Sequence, residues 1–258
     1  MRHLVYCILR ARPRWRGQLP AGVAGAAVSL VTAAELAAAV SRVSEKGVGN
    51  LLCAAPAGPS RQKAPAPFFR RVAHATAHAD VIAALSADRT VLPIRYGCLL
   101  SSSAQVRELL RTRRAEFAAL LDELDGCVEM GVRVLLPGPG RPVTKRQSQR
   151  TKPGSGTAYL AGRSAAYARR DAGHESVAAT VAALRRTFDR LSVQSRASGA
   201  EVGDKLLVSL YFLIRREHVS AFRREFRRLQ AQYTQSLLLS GPWAPYNFVP
   251  SQAPEAMR

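Results

Sequence analysis

Two histidines, His74 and His78, stand four residues apart in FFRRVAHATAHADVIAALSAD. On a helix that spacing puts both imidazoles on one face, where they could chelate a metal ion. The residues between them are Ala75, Thr76 and Ala77, so the glutamate of an H-E-x-x-H zinc site is missing, and no third ligand follows. A pair of helix-surface or core histidines is the simpler reading. Asp122, Glu123 and Asp125 gather three carboxylates at a helix end, which a solvated terminus explains without acid–base work. Cys7, Cys53, Cys98 and Cys127 lie far apart within or beside apolar runs and show no C-x-x-C spacing. They read as buried free thiols in a reducing, cytoplasmic compartment, not as a zinc site or a disulfide framework. No G-x-S-x-G, Walker-type loop or G-x-G-x-x-G occurs, and GPGR at 138–141 leads directly into no helix that would complete a phosphate cradle. The residues support no catalytic group, no cofactor and no metal, and the expectation is a protein that is not an enzyme.

The elements around these residues are legible from periodicity. HLVYCILRA is a buried strand, followed by a basic loop through Pro13 and Pro20, and GAAVSLV is a second strand. TAAELAAAVSRV carries a Thr32 to Glu35 spacing that resembles a helix capping box, although a strand fits it too. Pro56, Pro59, Pro65 and Pro67 make residues 54–67 a loop, ahead of the amphipathic helix that holds the histidines. TVLPIRYGCLL is a strand whose Pro93 predicts an edge position or a bulge. SSSAQVRELLRTRRAEFAALLDELDG is a helix with a serine cap and Gly126 as its stop; CVEMGVRVLL is a strand.

Residues 137–156 combine prolines, glycines and five cations with no acid, and read as a mobile basic insert. Val177, Val181, Leu184, Phe188 and Leu191 fall at coiled-coil steps, as do Val219, Phe222, Phe226, Leu229 and Tyr233. Between those stripes KLLVSLYFLIR is a strand, with YTQSLLLSG as its expected partner. The pattern predicts an α+β chain with two small sheets, each covered by helices on one face. The expected domains are 1–100 and 101–258, the second containing the insert.

The 258 residues carry 38 Lys and Arg against 18 Asp and Glu, a net charge of +20. Such a balance suits nucleic acid, an anionic surface or an acidic protein, but an alanine-rich, arginine-rich composition of the kind GC-rich genomes encode accounts for it as well. PIRYGCLL lacks the second and third aromatics of a base-stacking strand, so a basic nucleic-acid-associated protein is only the alternative reading. Residues 19–40 are long enough to consider as a membrane span, yet they are mostly Ala and Gly interrupted by Thr32 and Glu35, and no membrane association is expected. The closing stretch SGPWAPYNFV is stiffened by Pro242 and Pro245 and carries Trp243, Tyr246 and Phe248. Pro242, Trp243, Pro245 and Tyr246 are expected to lock it onto the sheet formed by LLVSLYFLI and SLLLS, and the alternative is a docking surface for a partner.

Four segments in order, VLPIRYG, ELLRTRRAEFAALLDELDGCVEMGVRV, GTAYL and GPWAPYNFV, resemble the gas vesicle protein F/L family. The departures are Tyr96 in place of phenylalanine, Ala244 in place of a proline, and Cys98-Leu99-Leu100 after Gly97. The resemblance spans essentially the whole chain. It implies a ferredoxin-like N-terminal variant followed by an α+β domain with long paired helices. It also implies a cytoplasmic, gas vesicle-associated assembly or minor structural protein with no small-molecule substrate. Its partner would be the major shell protein, and other accessory proteins besides, during nucleation. The positions matching the family motifs, with structural or partner-contact roles, are Pro93, Arg95, Tyr96, Gly97, Gly126, Glu129, Tyr159, Leu160, Gly241, Pro242, Trp243, Pro245, Tyr246 and Phe248. Arg95 is open to two roles, a buried ion-pair member or a contact residue.

Overall fold

The computed structural model describes residues 1–11, 19–44, 66–137, 178–203, 205–233 and 236–250. The basic insert beyond Pro137, Tyr159, Leu160 and Cys53 lie outside the described residues. By their internal contacts, Met1–Glu129 with Trp243–Arg258 form one compact unit and Met130–Pro242 another. This division differs from the 1–100 and 101–258 expected, because the helices after residue 100 pack against the first sheet and the last residues return to it.

The first unit is built on β1 (Arg2–Arg10), β2 (Val28–Ala33), β3 (Leu36–Val43), β4 (Val91–Pro93) and β5 (Leu99–Leu100), in the order β2-β3-β1-β4 with β5 also on β1. Pairing is antiparallel throughout. ELAAAVSRV is strand, although alanine favours helix in isolation. Its small side chains let β3 sit between β1 and β2 and gain a ladder on both edges, which outweighs a weak local propensity. The hairpin into β3 turns through Ala34 and Glu35, both at positive φ.

Leu4–Leu9 and Leu36–Ser41 are buried without interruption, so this sheet is covered on both faces, where one had been expected. One cover is α1 (Ala66–Ser86): its Val81, Ile82 and Leu85 join Leu4, Tyr6, Leu9, Ala37 and Ala39 in one core cluster. Pro67 falls in the first turn of α1, where its missing N–H costs nothing, and the helix starts two residues before the expected Phe68. The other cover is α2 (Ser103–Thr112) with α3 (Arg114–Glu123), which bury Val106, Leu110, Phe117 and Leu121. The single helix expected here breaks at Arg113, whose guanidinium turns back onto Glu116 and over the Phe117 ring. The Ser102 hydroxyl caps α2 by accepting from Gln105 N at 3.2 Å. Gly126 follows α3 at φ 66 and releases the chain into β6 (Cys127–Pro137).

The second unit has the sheet order β7-β8-β6-β9, with β7 Ser192–Val202, β8 Lys205–Arg215 and β9 Leu237–Trp243. β7 is polar, exposed over most of its length, and shows no apolar alternation, so sequence reasoning passed over it. β9 pairs with β6 and not with β8 as expected, because β7 takes that edge. A helix over 178–188, α4, and α5 (Val219–Gln232) supply the two heptad-spaced stripes. Phe188 and Phe222 stack at 4.1 Å between centroids, and each also meets Phe212 of β8 at 5.1 and 5.4 Å. The stripes therefore serve helix-on-sheet packing around a three-ring cluster, and a coiled-coil seam is not observed among the described residues.

Candidate partner-contact site

Three motif segments, far apart in sequence, meet beside the centre of β1. From β4, Pro93 pairs with Cys7, the Ile94 N–H donates to Tyr6 O at 2.8 Å, and the Val5 N–H donates to Cys98 O at 3.0 Å. Residues Ile94–Cys98 thus leave the ladder and rejoin it, which is how Pro93 can be accommodated at a sheet edge. Gly97 makes this excursion at φ 100, a conformation that a β-carbon disfavours. Tyr96 folds inward, 3.5 Å from His74 Nδ1 through its hydroxyl and edge-on to His78 at 5.4 Å. Arg95 is exposed, so it is not a buried ion-pair member.

The histidine pair is structural. His78 is 3% exposed, packs against Tyr6 at 5.0 Å, and its Nε2–H donates to Val5 O at 3.4 Å. Burial pulls its pKa down to about 4, so the ring is neutral at physiological pH. No group of three or more metal-ligating side chains exists among the described residues. The carboxylates at the end of α3 are likewise engaged: Asp122 pairs with Arg10 at 2.5 Å, and Asp125 accepts from Thr90 at 2.6 Å. Both line a shallow cleft with Leu9, Arg89 and Leu121. Cys7 and Cys127 are buried free thiols, and Cys98 is half-buried with its pKa raised to about 11 by burial. None of these is a poised nucleophile.

The closing segment is held by Glu129, which is 4% exposed. Its carboxylate accepts the Asn247 backbone N–H at 2.8 Å and the Asn247 side-chain N–H at 2.7 Å. Two charge-assisted bonds to one residue fix both the path and the rotation of the chain there. Around this clamp Ala244, Pro245, Phe248 and Val249 are buried, and Ala244 joins the α1–sheet core. Turn bonds from Tyr246 N to Ala244 O and from Phe248 N to Pro245 O close the segment on itself.

Trp243 is 50% exposed and Tyr246 37% exposed, whereas Phe248 is 4% exposed. The segment is held by other residues, and on another core, than expected: Phe248, Ala244 and the Asn247 clamp fix it within the first unit, and Trp243 is half-exposed. Burial pushes the Tyr246 hydroxyl up to about 12, and the neighbouring Glu129 carboxylate adds to the shift. Gly241 and Pro242 are joined by a cis peptide, with Pro242 exposed.

Of the fourteen motif positions, Pro93, Tyr96 and Gly97 lie along β1, Glu129 clamps the closing segment that holds Pro245, Tyr246 and Phe248, and Gly126 acts at the α3 stop. Sequence reasoning missed Tyr6, Ser41 and Asn247. The Tyr6 hydroxyl accepts from Val23 N and donates to Ser41 Oγ, both at 2.9 Å, and Ser41 passes the chain on to Ala27 O. A tyrosine inside an otherwise aliphatic strand is the one signal that such a buried polar chain existed. Asn247 stood inside a recognised motif, overshadowed by its aromatic neighbours.

Comparison with known proteins agrees with this geometry. The family described as "Gas vesicle synthesis protein GvpL/GvpF" matches residues 2–250. Gas vesicle protein L of a Streptomyces strain is 30% identical over 67% of this chain and 68% of its own length. Gas vesicle protein F1 of Halobacterium salinarum is 25% identical over 63% of this chain, and the match spans 61% of that protein. Two crystal structures share the fold. GvpF from Microcystis aeruginosa has a TM-score of 0.68 at 15% identity, covering 96% of this chain and 99% of that one. GvpF from Anabaena sp. PCC7120 has a TM-score of 0.67 at 17% identity, covering 96% of each. With the family match running from residue 2 to 250, the chain belongs to the GvpL/GvpF family of gas vesicle synthesis proteins.

Proposed function

We propose that this protein is a non-enzymatic accessory of gas vesicle assembly in the cytoplasm, which binds the major shell protein during nucleation and keeps it from aggregating. A shell subunit destined for a rib of identical neighbours carries an apolar face that is an aggregation hazard before it is incorporated. A partner that covers this face transiently needs rigid apolar side chains directed outward. The observation that carries the reading is the closing segment, clamped through Asn247 and Phe248 while Trp243 and Tyr246 remain partly exposed. Aromatics held on a fixed backbone supply contact area at little entropic cost, which is why such residues dominate binding energy.

The first unit fits a ferredoxin-like variant in this reading. Its β2-β3-β1-β4 order is preserved, while a 3-10 turn at Val23–Gly25 is the only helical element described between β1 and β2. Co-expression with the major shell protein, followed by capture at low and high salt, tests the function. Retention at high salt with more shell protein in the soluble fraction is the expected result. Loss of the shell protein at high salt, with nucleic acid co-purifying at low salt, overturns it in favour of a nucleic-acid-associated role.

A further inference from the structure

The second unit carries a different surface. Phe222, Phe226 and Leu229 turn α5 toward its sheet, and Arg223, Arg224, Arg227 and Arg228 are exposed on it, as are Arg215 and Arg216 just before it. The acidic residues on the same stretch are Glu217 and Glu225 alone, so six arginines oppose two carboxylates. Part of the face is braced. Arg223 Nη2 donates to Gly241 O at 3.3 Å, Arg227 Nε donates to Arg223 O at 3.4 Å, and Arg228 stands 3.9 Å from Glu225. The pairs Arg223/Arg227 and Arg224/Arg228 each repeat at one helical turn, a rise of about 6 Å.

We infer that the outward face of α5 docks an acidic helical segment of a partner protein. Carboxylates four residues apart on a partner helix repeat with the same rise of about 6 Å, and guanidinium meets carboxylate in a bidentate geometry that lysine cannot reproduce. Glu225 between the arginine pairs favours a segment whose acidic positions are interrupted over a uniform polyanion. The described side chains of α5 also present no exposed aromatic on which a base would stack, since Phe222 and Phe226 are buried. The partner of this surface need not be the shell protein.

The test uses the full chain and fluorescence anisotropy with two probes. One is an alanine-based helical peptide of about 20 residues with glutamate at every fourth position; the other is a single-stranded oligonucleotide of equal charge. Arg224→Glu with Arg228→Glu should weaken peptide binding ~10-fold or more. Arg107→Glu with Arg111→Glu, an equal charge change on the exposed side of α2, should weaken it less than ~3-fold. Arg224→Lys with Arg228→Lys should fall between wild type and the glutamate pair. Unchanged far-UV circular dichroism certifies that each variant is folded. Equal losses in the α5 and α2 variants, tighter binding of the oligonucleotide than of the peptide, or no peptide binding by the wild type would each overturn the inference.

Discussion

Phe248→Ala and Trp243→Ala are expected to differ sharply, although both remove an aromatic from the same motif. Phe248 is 4% exposed and sits beside the Glu129 clamp, so truncation removes a fully buried ring and leaves a cavity. Such a change costs about 3–5 kcal/mol. Trp243 is 50% exposed. A tryptophan buries about 150–250 Å² when fully covered, so half of that, at about 25 cal/mol per Å², is an upper bound near 2–3 kcal/mol. Compaction of the unfolded chain trims this to about 1–2 kcal/mol. In a domain of this size each kcal/mol moves the melting temperature by about 2–4 °C. Phe248→Ala should therefore lower the melt by about 6–20 °C and Trp243→Ala by about 2–8 °C. Thermal and urea melts followed by far-UV circular dichroism make the comparison. A Trp243→Ala loss as large as that of Phe248→Ala would refute the assignment of anchor and exposed roles.

Three other perturbations follow from the same packing. Glu129→Ala strands two Asn247 donors and should cost about 2–4 kcal/mol, less than two full charged bonds because a buried charge goes with them; Glu129→Gln should retain roughly half of the bonding, and cleavage of the closing segment in limited proteolysis ranks the two. Gly22→Ala would put a β-carbon 2.2 Å from Tyr6 Oη and 2.6 Å from Ser41 Oγ, so a loss of about 2–3 kcal/mol in urea melts is expected as the buried hydroxyl chain is displaced. His78 has a folded pKa of about 4 against about 6.5 unfolded, so the unfolded chain binds the extra proton in that window. Its contribution is fully present above pH 6.5 and is lost as pH falls toward 4. His78→Phe should flatten the slope of stability against pH over that range, by an amount on the order of 3 kcal/mol.

The sequence exposed those features whose local chemistry and tertiary fate coincide. KLLVSLYFLIR and CVEMGVRVLL are apolar enough to be strands anywhere, and Gly126 ends a helix by its own backbone. Residues 36–43 are ambiguous because alanine favours helix locally while two neighbouring strands decide otherwise. β7 was invisible because an edge strand with both faces wet needs no apolar alternation. The heptad spacings were real, but a spacing does not say whether a stripe faces another helix or Phe212 of a sheet. At the site, motif order revealed which residues matter, and burial alone revealed their roles. Glu129 and Asn247 stand 118 residues apart and become a clamp only once folded. Trp243 looked like an anchor because it is large, and the chain instead buries the smaller Ala244 and Phe248.

The most direct test of the account is capture of the co-expressed major shell protein by wild type and by a Trp243→Ser, Tyr246→Ser double variant, at low and high salt. The account predicts that the variant stays folded at the capture temperature, with an unchanged far-UV circular dichroism spectrum there, yet loses the shell protein at both salt concentrations. Capture undiminished in the variant would contradict it, and would move the contact away from the closing segment.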